Sequence, residues 1–164
     1  MSDTISFSLH YAAERLASIS DTPQLEAQIL LAHILQKTRS YLHGFSDMPL
    51  TPAEQQQFSD ILERRVQGEP IAYLIGHREF WSLDFIVTRD TLIPRPETEL
   101  LVDLVLKKCV GKNKLIADLG TGSGAIALAI AHERPQWEVH ATETSAAALD
   151  IACLLYTSPS PRDS

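Results

Sequence analysis

Asp118-Leu119-Gly120-Thr121-Gly122-Ser123-Gly124 is the stretch of sequence that decides the fold of this chain. It lies between a predicted strand at 114–119 and a predicted helix at 123–133, and a second strand is predicted at 138–143. A strand, a glycine-rich turn, a helix and a further strand make up the opening unit of a doubly wound α/β sheet. The sequence therefore predicts that an α/β, Rossmann-like domain begins here.

The glycine-rich turn is also the predicted ligand site. Open α/β sheets bind ligands beyond the carboxyl ends of their strands, and glycines allow the backbone to approach a cofactor closely. We therefore assign cofactor binding to five consecutive residues, which are Gly120, Thr121, Gly122, Ser123 and Gly124.

Two acidic residues flank this turn. Glu143 ends the second predicted strand, where a carboxylate can accept hydrogen bonds from both hydroxyls of a ribose. The alternative is a solvated carboxylate at a strand end. Asp118 either faces a cationic part of the ligand or makes only structural hydrogen bonds to the turn, and the sequence leaves both open.

The glycine spacing bears on the identity of the cofactor. Dinucleotide sites use G-x-G-x-x-G, which places a pyrophosphate at a helix N-terminus. Here the spacing is G-x-G-x-G, with Asp118 two positions before the first glycine. A carboxylate would repel a pyrophosphate but suits the sulfonium and ammonium groups of S-adenosyl-L-methionine (AdoMet). The spacing therefore favours AdoMet and disfavours a nicotinamide-dependent oxidoreductase.

The first 70 residues have helical periodicity instead. Thr22-Pro23 and Thr51-Pro52-Ala53-Glu54 are predicted helix starts, and the second is a capping box with proline at the first helical position. Another helix is predicted around 8–19, and Gly68 is a predicted helix terminator. These short amphipathic helices indicate a small bundle.

A connector is predicted between the bundle and the α/β domain. Residues 73–88 are rich in aromatic and β-branched side chains, which indicates a hairpin with its turn at Ser82-Leu83-Asp84. The predicted organisation is a helical domain at 1–70, a hairpin connector at 71–93 and an incomplete methyltransferase-type domain at 94–152. Residues 153–164 read CLLYTSPSPRDS, and their back-translation resembles a sequencing adaptor. Our hypothesis is that this segment is an artefact.

Composition narrows the class of protein. The formal net charge of −7 argues against direct nucleic-acid binding, which depends on Lys and Arg. The longest wholly apolar run is too short for a membrane span, no secretory signal is evident, and Cys109 and Cys153 form no metal-ligand cluster. We expect a cytoplasmic protein without a metal site.

Three segments carry a more specific signal. They read GEPIAY at 68–73, GHREFW at 76–81 and TLIPRPETE at 91–99. With the glycine motif, these segments resemble the release factor glutamine methyltransferases. The resemblance implies a helical domain that helps to recognise a protein substrate, a hairpin, and a class I methyltransferase domain with AdoMet on Gly120–Gly124 and Glu143. The implied reaction is methylation of the glutamine amide in the GGQ motif of class 1 peptide chain release factors.

One element of that family is missing from the sequence. The family orients the glutamine amide with an Asn-Pro-Pro-Tyr loop, and no such motif occurs in the chain. We therefore assign no catalytic residue and expect the chain alone to be inactive. The alternatives are a related methyltransferase for a glutamine of a ribosomal protein, one for a nucleic-acid base, and a non-catalytic truncated binding module.

Overall fold

The computed structural model describes residues 3–157, which fall into two compact units that divide between Ile75 and Gly76. Residues 158–164, which belong to the suspected artefact segment, lie outside the described residues. Within residues 3–157, no helix combines the length and apolar character that a bilayer crossing requires.

The first unit contains five helices in the part of it that is described. They are α1 (Ile5–Leu16), α2 (Pro23–Leu35), α3 (Arg39–Gly44), α4 (Pro52–Val66) and α5 (Ile71–Ile75). Their apolar faces meet in one core, whose fully buried side chains include Ile5, Leu16, Leu30, Leu31, Leu42 and Leu62. The helical bundle predicted from the sequence is confirmed.

The start of α1 was misjudged by three residues. The Thr4 hydroxyl accepts a hydrogen bond from the Phe7 backbone N–H at 3.2 Å, so the helix begins at Ile5 rather than near Ser8. Ile5 is fully buried and anchors this first turn in the core. The apolar spacing alone did not reveal the short cap before it.

The two predicted threonine–proline helix starts are confirmed in position but differ in chemistry. Thr51 and Glu54 form the complete reciprocal capping box of α4. The Thr22 side chain makes no capping hydrogen bond, although Pro23 begins α2 as predicted. Proline therefore occupies the first helical position at both starts, but only α4 has the additional hydroxyl and carboxylate bonds.

Residues 73–75 were expected to be extended and are helical. The Pro70 carbonyl accepts hydrogen bonds from the Tyr73 and Leu74 N–H groups, which starts α5. Leu74 is buried in the bundle core, so tertiary packing outweighs the β propensity of this aromatic and branched stretch. The strand-like segment begins only at His77.

The second unit combines a hairpin with the start of an α/β domain. Its elements are β1 (His77–Phe80), β2 (Leu83–Ile86), a 3-10 turn (Pro96–Thr98), α6 (Glu99–Lys108), β3 (Leu115–Leu119), α7 (Ala125–Glu133), β4 (Glu138–Thr142) and α8 (Ala146–Thr157). Phe80, Phe85, Val102 and Ile130 lie at the centre of its core. The strand–loop–helix–strand order predicted from the glycine motif is confirmed, with strand and helix ends shifted by one or two residues.

The hairpin turn is not where the sequence placed it. Leu83 pairs with Phe80, and Asp84 pairs with Glu79, so Leu83 and Asp84 belong to β2 rather than to the turn. The turn is Trp81-Ser82, and both residues have positive φ, 54° and 58°. That is the backbone of a type I′ turn, which usually selects Asn-Gly.

Contacts outside the hairpin compensate for this unfavourable turn sequence. The Trp81 backbone N–H donates to the Glu99 carboxylate at 2.8 Å, and its indole Nε1–H donates to Glu133 at 2.9 Å. Trp81 therefore joins the hairpin to the first residue of α6 and the last residue of α7.

Strands β3 and β4 are parallel and in register from Leu115–Glu138 to Leu119–Thr142. Ile116 of β3 and Val139 of β4 pack towards α7 in the core of this unit. Beyond β4, α8 continues through residues 153–157 of the suspected artefact segment. Independent sequencing of the source DNA past codon 152 tests the hypothesis that this segment is an artefact.

Candidate cofactor-binding site

The glycine loop leaves the carboxyl end of β3 and enters α7 through three left-handed residues. Gly120, Gly122 and Gly124 have φ values of 79°, 58° and 80°. A side chain at any of these positions would be strained, because L residues other than glycine rarely adopt this region. The alternating glycine spacing is therefore dictated by the path of the backbone.

The three glycines differ in what surrounds them. A Cβ atom on Gly120 or Gly122 would meet nothing within 4 Å, so open space lies in front of both. A Cβ on Gly124 would lie 3.3 Å from both Leu128 Cδ1 and Ala152 Cβ. Gly124 thus serves close packing against α7 and α8, whereas Gly120 and Gly122 present bare backbone to a space that a ligand can enter.

The first half of the loop is attached to the end of β4. The Gly120 and Thr121 N–H groups both donate to the Thr142 carbonyl, at 2.8 and 2.9 Å. The Thr121 hydroxyl donates to Asp118 Oδ2 at 2.6 Å. This supports the structural alternative for Asp118, since one of its oxygens holds the loop.

Glu143 holds the other half of the loop. Its Oε2 accepts from the Gly122 N–H at 2.8 Å, and its Oε1 accepts from the Thr144 and Ser145 N–H groups at 2.8 and 3.0 Å. The backbone N–H of Ser145, followed by those of Gly122 and Thr144, lowers the pKa of this carboxyl group below its usual range. Glu143 is therefore ionised at neutral pH and links the loop to the segment that starts α8.

These contacts refine the role predicted for Glu143. Oε1 is fully used by neighbouring backbone donors, whereas Oε2 has one hydrogen bond and can accept another. One ribose hydroxyl can therefore bind while Glu143 keeps the loop in place. Accepting both hydroxyls would require Glu143 to give up part of its backbone network.

The other predicted site residues are brought together in the same loop but face different surroundings. Thr121 and Gly122 are half-buried, and Gly120 is exposed. Ser123 is only 3% exposed, so its side chain points into the protein rather than towards solvent. We therefore expect Ser123 to contact a ligand through its backbone rather than its side chain.

Two contributors were missed by the sequence reasoning. Thr142 acts through its carbonyl, which no side-chain pattern can reveal. Ser145 acts through its N–H to Glu143, and its hydroxyl accepts from the Ala148 N–H at 3.3 Å as the cap of α8. A serine just before an alanine-rich helical pattern is a recognisable cap signal.

Together, this fold and this loop define the first part of a Rossmann-like, class I methyltransferase domain. Residues 96–159 match the family described as "Methyltransferase small domain", and residues 8–76 match the "PrmC N-terminal domain". The two matches cover both units and leave the hairpin between them.

Individual relatives agree across both units. The chain is 52% identical over 141 residues to a release factor glutamine methyltransferase of Coxiella burnetii, which covers 85% of this chain and 51% of the relative. The chain is 51% identical over 144 residues to the release factor glutamine methyltransferase of Salmonella typhimurium, and the aligned residues make up 88% of this chain and 52% of the relative. It is 43% identical over 145 residues to the release factor glutamine methyltransferase of Escherichia coli, and the aligned residues make up 87% of this chain and 52% of the relative.

The chain belongs to the release factor glutamine methyltransferase family. It spans about half the length of the curated relatives that it matches.

Proposed function

We propose that the complete protein uses AdoMet to methylate the side-chain amide nitrogen of the glutamine in the GGQ motif of class 1 peptide chain release factors. The observation that carries this proposal is the glycine loop held between Thr142 and Glu143 in a chain whose relatives carry that activity in their names. The proposed reaction takes place in the cytoplasm, the compartment of translation, and involves no membrane.

The residues of the loop fit AdoMet. Gly120 and Gly122 have the open space in which a Cβ would otherwise stand, so the backbone can contact the ligand closely. Glu143 has an acceptor position left on Oε2 for a ribose hydroxyl. The site offers carboxylates rather than a cluster of cations, which suits a cofactor without phosphates.

AdoMet supplies an electrophilic methyl group when it is bound. The residues of this chain bind and orient it, since three backbone N–H groups already fix the loop, two of them to the Thr142 carbonyl and one to Glu143. Two further N–H groups, those of Thr144 and Ser145, hold Glu143 in place. Such preorganisation matters for this substrate, because the lone pair of an amide nitrogen is delocalised into its carbonyl group. Rate enhancement must then come largely from holding the nitrogen in line with the methyl group.

A fusion protein tests the proposal. Residues 1–152, which exclude the suspected artefact segment, would be joined to the half of the Coxiella burnetii relative that the match leaves uncovered, and incubated with AdoMet and a purified class 1 release factor. We expect mass spectrometry to find one added methyl group on the GGQ glutamine. A release factor with that glutamine changed to alanine is the substrate control.

A second variant locates the donor site. Gly122→Val in the same fusion should lose AdoMet binding in calorimetry, because the added side chain fills the space in front of the loop. Methylation of ribosomal proteins but not of the release factor would overturn the proposed substrate. Undiminished AdoMet binding by the Gly122→Val fusion would overturn the proposed site.

A further inference from the structure

The lysines of this chain are concentrated between the end of α6 and the start of β3. Four of the five lysines in the sequence lie between positions 107 and 114, and all four are exposed. We name them the lysine cluster, which consists of Lys107, Lys108, Lys112 and Lys114. No acidic residue occurs between Asp103 and Asp118, although the formal net charge of the chain is −7. Positive charge is therefore gathered on one short segment of an acidic protein.

Helix capping accounts for only half of this cluster. Lys107 and Lys108 are in the last turn of α6, where positive charge complements the helix dipole, and Lys107 also contacts Asp103 at 2.7 Å. Lys112 and Lys114 lie beyond the end of the helix, and neither forms an ion pair within residues 3–157. Their charges are therefore available to a binding partner.

The loop that carries Lys112 is held against the α/β unit. The Trp137 indole Nε1–H donates to the Gly111 carbonyl at 3.0 Å, and the Arg134 guanidinium lies 5.8 Å from the centre of the Trp137 ring. Lys114 folds back over the loop, since its Cε lies 3.2 Å from the position that a Cβ atom on Gly111 would occupy. Arg134 thus adds a fifth positive charge beside the lysine cluster.

The backbone of the same loop adds hydrogen-bond donors. Residues 110–114 are exposed, and their N–H groups donate to no acceptor in the part of the chain that the structure describes. Lysine side chains and backbone N–H groups are both frequent donors to the phosphate oxygens of nucleic acids. The loop therefore combines positive charge with free donors in one exposed segment.

The composition of this surface distinguishes between classes of anionic partner. Protein–protein interfaces are depleted in lysine and enriched in aromatic residues, and single-stranded nucleic acids stack on aromatic side chains. Here lysine dominates, and Trp137, the aromatic residue that contacts the loop, is only 6% exposed. Lysine is a compact point charge on a flexible stem, which suits a row of phosphates better than one carboxylate of fixed geometry. The surface therefore favours a nucleic-acid duplex, in which the phosphates are exposed and the bases are stacked inside.

We propose that the lysine cluster, with Arg134 and the N–H groups of residues 110–114, binds the phosphate backbone of a nucleic-acid duplex independently of base sequence. The net charge of −7 argues against such binding by the chain as a whole. At physiological ionic strength, however, exposed charges more than about 8 Å apart are largely screened from each other. The local charges therefore decide the interaction, which should be weak and strongly salt-dependent.

This surface lies at the opposite end of β3 from the glycine loop. Lys114 precedes the strand and Gly120 follows it. A strand of this length spans about 17 Å, so a bound duplex leaves the candidate cofactor site open. The inference does not rest on the proposed methylation, and either proposal can fail without the other.

Fluorescence anisotropy with a labelled RNA duplex of about 16 base pairs tests the proposal on the full 164-residue chain. We expect binding at about 50 mM salt, and the logarithm of the affinity should fall linearly with the logarithm of the salt concentration. A DNA duplex of the same sequence is measured beside it, and the tighter of the two identifies the source of the phosphates. Failure of both duplexes to bind at low salt would overturn the proposal.

Two matched double variants locate the surface. Lys112→Gln with Lys114→Gln removes two charges from the lysine cluster, and Lys37→Gln with Arg39→Gln removes two exposed charges from the helical unit. We expect the first pair to weaken binding by about tenfold or more and to reduce the salt slope by about 2. The second pair should leave the affinity within about twofold. Equal weakening by both pairs would contradict the assigned surface.

Poly-glutamate decides between the two classes of polyanion. If it binds the chain as tightly as the duplexes do, the surface belongs to an acidic protein and the nucleic-acid proposal is wrong. Thermal unfolding controls for folding of the variants. Since Lys112 and Lys114 are exposed, their replacement should leave the unfolding temperature unchanged.

Discussion

The helical unit and the α/β unit place their leucines very differently. In the helical unit, Leu16, Leu30, Leu31 and Leu62 are all at most 2% exposed, and every long helix contributes to one core. In the α/β unit, Leu100, Leu115 and Leu119 are each more than 60% exposed. The first unit thus buries these four leucines in one core, whereas the second leaves three leucines largely exposed. The contrast concerns the leucines, since Phe7 and Phe45 of the first unit are 57% and 51% exposed.

The largest expected difference is between two leucine-to-alanine substitutions, one in the helical unit and one in the α/β unit. Leu30→Ala should lower the unfolding free energy of the helical unit by about 2–5 kcal/mol, because it leaves a cavity in a closed core. Leu119→Ala should change the stability of the α/β unit by less than about 0.5 kcal/mol.

Both tryptophans, Trp81 and Trp137, lie in the α/β unit, so the two units can be followed separately. In urea unfolding, tryptophan fluorescence reports the α/β unit alone, whereas far-UV circular dichroism reports the helices of both units. A transition seen by circular dichroism but not by fluorescence therefore belongs to the helical unit. Similar losses from the two leucine variants would contradict the contrast between a closed core and an open one.

A second test sharpens the comparison within the α/β unit itself. Gly124→Ala should destabilise this unit by about 2–3 kcal/mol, because it adds a close contact with Leu128 and Ala152 to the left-handed strain. Gly122→Ala carries only the strain and should cost about 1 kcal/mol. Fluorescence-monitored unfolding checks both, and a larger loss for Gly122→Ala would show that the open space in front of the loop is misassigned.

A smaller effect is expected at the helix starts of the first unit. Thr51→Ala removes the hydroxyl of the capping box and should destabilise the helical unit by about 1 kcal/mol. Thr22→Ala is the matched control and should cost less than about 0.5 kcal/mol, since Thr22 precedes a proline in the same way but makes no capping bond. Equal costs, measured by circular dichroism, would mean that proline rather than the hydroxyl bond sets both starts.

The smallest effect is a pH dependence that the two units share. The pKa of Glu54 is lowered by the Thr51 backbone N–H and then by its hydroxyl, and the pKa of Glu143 is lowered mainly by the Ser145 N–H. Since the folded pKa lies below the unfolded value in both cases, each contribution is present above about pH 4.3 and is lost as the pH falls through the folded pKa.

A carboxyl titration by NMR checks this prediction. It should give both glutamates pKa values below the ordinary glutamate value of about 4.3. Hydrogen exchange at the Gly122 amide should accelerate over the same acidic range. A normal pKa for Glu143 would mean that its backbone network does not persist in solution.

The sequence predicted the fold wherever local signals and tertiary packing agree. Thr51-Pro52-Ala53-Glu54 contains a whole capping box within four residues, so it is readable without knowledge of the rest of the chain. The alternating glycines at 120, 122 and 124 likewise encode a local backbone path between a strand and a helix. These signals were sufficient for the bundle, the glycine loop and the class of domain.

Prediction from the sequence failed where residues distant along the chain decide the conformation. Leu74 is helical because the bundle core buries it, and Trp81 adopts positive φ with the Glu99 and Glu133 carboxylates as hydrogen-bond partners. In the candidate site, the carbonyl of Thr142 and the two-sided attachment of Glu143 depend on where β4 ends relative to the loop. No spacing rule along the sequence contains that information.

The bond between Trp81 and Glu99 has a consequence for how this chain can vary. The two residues come from GHREFW and TLIPRPETE, which look like separate signatures in the sequence but share one hydrogen bond in the structure. Exchanging TLIPRPETE alone for a segment without Glu99 would leave the Trp81 backbone N–H in a strained turn without its acceptor. Exchanging GHREFW alone would keep Glu99 but remove the turn that directs a backbone donor at it. The two segments therefore depend on one another structurally, and a recombinant that separates them should be less stable.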